Sequence, residues 1–242
     1  SHIYEDNVGA IWIGTEVGLY RYDSQANTFQ SIIHEADNIY SLSTNQISYL
    51  YQDNGGVFWV GTFNGLNKWN TSTAKFDHLR VTSDLTTSLS DNFIHGFYDG
   101  GNEHLWIATF DGLNLLNTNN GEVKKFLHDS SDINSLRTDK VMALFARNPD
   151  ELWIGYRDKG LSLLNRKTGQ FTHYVNDPND PTSIGANGVT SIKQAKDGKL
   201  WIGVFGGGIN LFDPATNEFV RYTHKPDDNQ SISGNRVLSV FE

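Results

Sequence analysis

The sequence predicts an all-β chain built from five tandem four-stranded units, and three observations carry that prediction. Five tryptophans, Trp12, Trp59, Trp106, Trp153 and Trp201, recur at spacings of 47, 47, 47 and 48 residues. A Ser-Leu/Ile step runs in phase with them, at Ser41-Leu42, Ser88-Leu89, Ser135-Leu136, Ser183-Ile184 and Ser231-Ile232. A glycine follows each tryptophan segment, at Gly18, Gly65, Gly112, Gly160 and Gly208. A fixed period of this length marks a repeat architecture, in which each unit buries its faces against the next. Four short antiparallel strands per period make one blade of a β-propeller. The approximate repeats are 1–44, 45–91, 92–138, 139–186 and 187–234, and a further one starts at 235–242. Five blades suit either a closed five-blade ring or an arc of a larger propeller.

The second repeat shows the logic strand by strand. Gln46 to Gln52 is aromatic and β-branched, and Asp53-Asn54-Gly55-Gly56 is a hairpin signal. Val57 to Phe63 is a nearly unbroken apolar run, the pattern of a strand covered on both faces. Asn64-Gly65 makes a second tight turn, and Leu66 to Trp69 begins a third strand. Lys75 to Val81 is more polar and reads as the outer edge. No segment has a helical period. A blade with two apolar faces needs neighbours, and the tryptophan strand is expected where neighbours meet.

Composition narrows the function. The 242 residues carry 19 basic and 28 acidic side chains, a net charge of −9, with no run of Lys and Arg, so binding to nucleic-acid phosphates is not expected. Cysteine is absent, which excludes disulfides and thiolate metal sites. The eight histidines form no metal-ligand motif, and no nucleophile elbow or phosphate loop occurs. His34, His78, His128, His173 and His224 fall on or just after outer strands, where exposure is expected. Asp6, Asp53 and Asp197 read as turn residues rather than catalytic carboxylates. No cofactor, no metal and no catalytic residue is expected, and the chain is not read as an enzyme. There is no apolar run near 18 residues and no leader at Ser1. Both ends cut through a repeat, so the chain reads as a piece of a longer protein.

The recurring pattern is D-x-x-G-x-(L/I)-W-I-G-T-x-x-G-L, as in Asp6 through Leu19, followed by an aromatic strand residue such as Phe29 and the S-L-S-x-N step that ends at Asn45. It resembles the two-component regulator propeller repeats over essentially the whole chain. Departures are small: Ala108 replaces a glycine, Tyr156 and Val204 replace the threonine, and Asp139 replaces the asparagine of the step. WD repeats have a similar period, but here Ile or Val follows each tryptophan, never Asp. The resemblance implies a periplasmic, saccharide-responsive sensor region of a bacterial inner-membrane receptor. It also implies further propeller repeats and a membrane-spanning output region in the parent chain, and it is compatible with a homodimer. A scaffold without ligand and a polysaccharide-degrading enzyme are the alternatives.

Comparison among the copies separates frame from function. The tryptophans, turn glycines and Ser-Leu/Ile pairs are held in every copy and are assigned to the blade itself. The glycines are expected at positive φ and the Ser/Asn step as a local cap of the loop backbone. The turn after the tryptophan strand varies: Glu16, Phe63-Asn64, Phe110-Asp111, Arg157-Asp158 and Phe205. In a propeller these turns share one end near the axis. Aromatic faces with a cation there suit a sugar ring bearing a carboxylate or sulfate, against the plainer reading of solvated turn tips.

Overall fold

A computed structural model describes residues 2–70 and 73–240. Its secondary structure is entirely strand, with no helix among the described residues. Five four-stranded antiparallel sheets follow one another in sequence. Blade one holds β1 (His2–Glu5), β2 (Ile11–Gly14), β3 (Leu19–Asp23) and β4 (Thr28–Ile32). Blade two holds β5 (Ile47–Gln52), β6 (Phe58–Thr62), β7 (Gly65–Asn70) and β8 (Lys75–Leu79). Blade three holds β9 (Ile94–Gly101), β10 (His104–Thr109), β11 (Gly112–Asn117) and β12 (Val123–Phe126). Blade four holds β13 (Val141–Phe145), β14 (Glu151–Tyr156), β15 (Leu161–Asn165) and β16 (Phe171–Tyr174). Blade five holds β17 (Gly188–Gln194), β18 (Leu200–Phe205), β19 (Gly208–Asp213) and β20 (Glu218–Tyr222). The chain divides into two compact units, Ser1–Lys125 and Phe126–Glu242, and each is described in turn.

In the first unit, side chains alternate along each strand and so serve two interfaces. Trp12 and Leu19 of blade one, with Leu42 of the step, share a core with Leu50, Phe58, Val60 and Phe76 of blade two. Trp59 and Leu66, from the opposite face of blade two, share a core with Phe97, Leu105, Ile107, Leu116 and Val123 of blade three. The second unit repeats the arrangement: Trp153 and Leu161 of blade four meet Ile192, Leu200, Ile202, Phe212 and Phe219 of blade five. In blades one, two and four the tryptophan face therefore packs on the opposite, aliphatic-aromatic face of the blade after it. Five consecutive residues of β6 are buried, as its unbroken apolar sequence requires.

The step after each blade is a capped loop. His34 N–H donates to Asn45 Oδ1 at 2.6 Å, and Glu35 N–H to Ser41 Oγ at 2.9 Å. The same pair of bonds recurs from Val81 to Asn92, His128 to Asp139, Asn176 to Asn187 and His224 to Asn235. Asp139 accepts as its asparagine equivalents do, which explains why the copies tolerate it. Three of the outer histidines are part of this cap: the Nδ1–H groups of His34, His128 and His224 donate to the carbonyls of Leu42, Leu136 and Ile232. His78 and His173 depart from the expected exposure. His78 Nε2–H donates to Ser41 O at 2.7 Å, reaching back to the loop before its blade, and His173 Nδ1 lies 2.7 Å from Ser162 Oγ. The turn glycines take positive φ as expected. At Gly65 (φ +101°) an added Cβ would lie 2.6 Å from the Leu79 carbonyl, so only glycine fits.

The tryptophan nitrogens divide the copies. Asp53 Oδ2 accepts from Trp59 Nε1–H at 2.8 Å and its Oδ1 from Val57 N–H; Asp6 holds Trp12 in the same way. Six residues before the later tryptophans stand Gly100, Arg147 and Ala195. Asp197 sits two places later in the repeat than Asp6 and Asp53 do, and it accepts from Lys199 N–H instead of clamping a tryptophan. Trp153 Nε1 has no acceptor among the described residues.

Candidate functional site

The turns between the second and third strands bring part of the sequence-predicted set together. In the first unit, Phe63 closes β6 and is 46% exposed, and Phe110 closes β10. Two residues that the repeat comparison did not single out join them. Phe93 lies 4.1 Å from Phe63 and 6.2 Å from Phe110, centroid to centroid, nearly parallel to the latter at 20°. His95 lies 4.4 Å from Phe93 and 5.5 Å from Phe110. These four rings form one partly exposed aromatic shelf across the ends of blades two and three.

A bulge builds the shelf. The β9–β10 register skips His95, with Ile94 opposite Thr109 and Gly96 opposite Ala108. The same skip occurs at Ser48, Met142 and Thr190 in blades two, four and five. A bulge re-aims the extra residue out of the strand's alternation, and it is the variable residue of the inner strand that each bulge turns out. The signal was present in the sequence as a position reading Ser, His, Met and Thr across four copies.

Polar groups border the shelf. Asn64 is exposed and donates from Nδ2 to Ser43 O at 3.2 Å, so its side chain is anchored. Asp111, next to Phe110, is exposed. Glu16 occupies the matching turn of blade one and is exposed; Val17 N–H beside it donates to Thr15 Oγ1. Below the shelf the frame is closed. Thr62 Oγ1 sits 2.9 Å from Ser43 Oγ and donates to Gly65 O, while Asn67 accepts from Ser43 N–H and donates to Ser43 Oγ. Ser90, Thr109 and Asn114 repeat this knot in blade three.

The second unit presents a different surface. Arg157 and Asp158 are exposed, and Asp158 pairs with Lys140 at 3.5 Å. Phe205 is half exposed, with the Arg236 guanidinium 4.8 Å above its ring. An added Cβ on Gly188 would lie 3.0 Å from Arg157 O and 3.3 Å from Phe205 Cβ, so these two turns adjoin across that glycine. The knot is rebuilt here: Tyr156 stands for the threonine and Ser162 for the asparagine. Both are fully buried, and burial pushes the Tyr156 phenol up to about 12. Ser162 beside His173 is no nucleophile pair, because its hydroxyl is sealed from solvent.

Trp69, outside the tryptophan series, lines a cleft of about 620 Å³ on the flank of blades one and two, with Trp12, Arg21 and Tyr40. The matching cleft between blades two and three is about 380 Å³ and has Leu116 where the first has Trp69. Cations lie over the tryptophan in each, Arg21 5.7 Å from Trp12 and Lys68 5.6 Å from Trp59. No group of His, Asp and Glu among the described residues is arranged to hold a metal ion.

Comparison with known proteins agrees with this geometry. Residues 41–64 and 183–206 match the two component regulator propeller family, so the chain carries repeats of that kind. Each matched stretch runs from a step serine through the tryptophan strand to its turn. The extracellular domain of a hybrid two component system from B. thetaiotaomicron superposes over 99% of this chain with a TM-score of 0.78 and 21% identity. The extracellular domain of a one component system from the same organism covers 90%, with a TM-score of 0.61 and 21% identity. PorZ, a surface component of the type-IX secretion system of Porphyromonas gingivalis, covers 92%, with a TM-score of 0.65 and 16% identity. The present chain spans 36%, 36% and 32% of those three chains. No curated protein matches the sequence.

Proposed function

We propose that this chain is the ligand-sensing propeller segment of a bacterial signalling receptor, displayed outside the inner membrane, and that it binds a saccharide rather than turning one over. The observation that carries the reading is the convergence of Phe63, Phe93, His95 and Phe110. These are the residues that vary among copies, and they gather on one shelf, while the held residues beneath are buried in the blade frame. Aromatic faces supply apolar platforms for sugar C–H surfaces, and Asn64 and Asp111 stand where hydroxyl groups would be paired. The repeat match at 41–64 and 183–206 supports a sensor role. So do the extracellular receptor domains among the similar structures, which suggest a parent with a membrane-spanning output region. Arg157, Asp158 and Phe205 offer a second surface suited to an acidic sugar.

The test is a thermal-shift panel of cello-, malto-, xylo- and galacturono-oligosaccharides, since a ligand that prefers the folded state raises its apparent stability. A saccharide that stabilises the chain, with loss of the shift in Phe110→Ala, supports the reading. Release of shorter products from any of these probes, or a shift indifferent to Phe110→Ala, contradicts it.

A further inference from the structure

The cleft on the flank of blades one and two has a filled counterpart in the second unit. Tyr174 pairs with Leu161 across the outer strands of blade four, as Ile32 pairs with Leu19 in blade one. Phe212 and Phe219 of blade five pair as Trp69 and Phe76 of blade two do. Asn217 and Ala74 each end the turn before the fourth strand at positive φ, 61° and 53°. Between blades four and five the Tyr174 ring stacks on Trp153, 5.6 Å away at 28°, and meets Phe212 and Phe219 edge-on at 5.1 and 5.8 Å. Its hydroxyl donates to Asn217 Oδ1 at 3.0 Å. The protein thus seats an aromatic ring of its own in that cleft.

Between blades one and two the walls are kept and the ring is gone. Trp12, Trp69 and Phe76 stand for Trp153, Phe212 and Phe219, and Trp69 holds Phe76 at 4.6 Å as Phe212 holds Phe219 at 4.7 Å. Ile32 replaces the phenol and Ala74 replaces its hydrogen-bond partner. All five of these residues line the cleft of about 620 Å³. A further exchange changes its charge. Arg21, paired with Trp12, stands where Leu163 is paired with Trp153. Arg21 is exposed at the cleft and forms no ion pair among the described residues. The two carboxylates of the lining are already engaged. Asp6 accepts from Trp12 Nε1–H and two backbone N–H groups, and Glu35 accepts from Asn38.

We infer that this cleft is a binding site for a small aromatic carboxylate, with its ring in the place that Tyr174 fills between blades four and five and its carboxylate on Arg21. Aromatic walls take a flat ring by stacking and edge contacts. A guanidinium pairs with a carboxylate through two parallel hydrogen bonds. Both walls are four-stranded blades, and none of the shelf residues Phe63, Phe93, His95 and Phe110 lines the cleft, so the site stands apart from the saccharide reading.

Calorimetric titration of the 242-residue chain with 4-hydroxyphenylacetate and with its neutral amide tests this. The acid should bind, and the amide should bind about tenfold or more weakly. Ile32→Tyr combined with Ala74→Asn rebuilds the filled cleft, and asparagine suits the positive φ there, as it does at Asn27 and Asn217. That variant should keep its circular dichroism spectrum and lose the acid. Arg21→Gln, at an exposed position, should bind acid and amide alike, and it alone decides should the filled variant not fold. Phe110→Ala should bind the acid as the parent does. No binding of the acid at millimolar concentration overturns the inference, as does equal binding by a folded filled variant. An Arg21→Gln chain that still prefers the acid, or loss of the acid in Phe110→Ala, overturns it too. Glucuronate binding as tightly as the acid, and lost in the same filled variant, would make the cleft a uronate site instead.

Discussion

Thr62 and Phe63 are neighbours in sequence, yet they belong to two different regions of blade two. Thr62 is wholly buried, in a knot with Ser43 and Asn67 that fastens the incoming step to the blade. Phe63 is nearly half exposed and leans on Phe93 of the next blade. The knot recurs in blade three with the same residue types; the shelf residues change from copy to copy. The knot is therefore the part that makes a blade, and the turn one residue later is the part free to acquire a ligand. Blade four shows how far the knot can be redrawn, since Tyr156, Ser162 and His173 replace it with a larger phenol and an imidazole.

That contrast can be broken first at Asn67. Asn67→Ala removes the acceptor of a buried Ser43 N–H and the donor to Ser43 Oγ. It should lower unfolding free energy by about 3 kcal/mol, read as a lower denaturant midpoint. Asp53→Ala comes next. It strips a buried indole N–H and Val57 N–H of their acceptor and should cost about 2 kcal/mol by the same measurement.

Acid should act on a smaller scale. Burial holds the imidazole of His78 below its ordinary value of 6.5, partly offset by its bond to Ser41 O. Burial, aided by Arg137, does the same for His173. A ring kept neutral in the fold takes up its proton at a higher pH once unfolded. The stability it contributes is thus complete above 6.5 and is lost as pH falls through the folded-state values. The thermal midpoint should drop on going from about pH 7 to about pH 5, and less so in His173→Gln. Smallest of all is Phe63→Ala, a surface change expected to alter stability by about 0.5 kcal/mol or less while it weakens saccharide binding.

The frame was legible in the sequence because each of its parts is a local pattern repeated in register. Trp59 with Gly65, and Ser88 with Asn92, announce a strand, a turn and a cap without reference to anything distant. The shelf was half legible. Phe63 and Phe110 vary at a known turn, but Phe93 and His95 reach them from the start of the inner strand, where the variable position of His95 shows in the sequence only once the bulge that turns it out is known. The exposure of His78 and His173 was misjudged for a related reason. Their partners, Ser41 O and Ser162 Oγ, lie 37 and 11 residues away, and only the fold brings them to the outer strand.

The division between frame and shelf is tested most directly by one titration, in which the saccharide that most stabilises the chain is added to the parent and to Phe110→Ala while the thermal midpoint is followed. The account predicts equal midpoints without ligand and a rise on ligand addition only in the parent. An equal rise in both would show that the ligand sits elsewhere and that the variable turns do not form the binding surface.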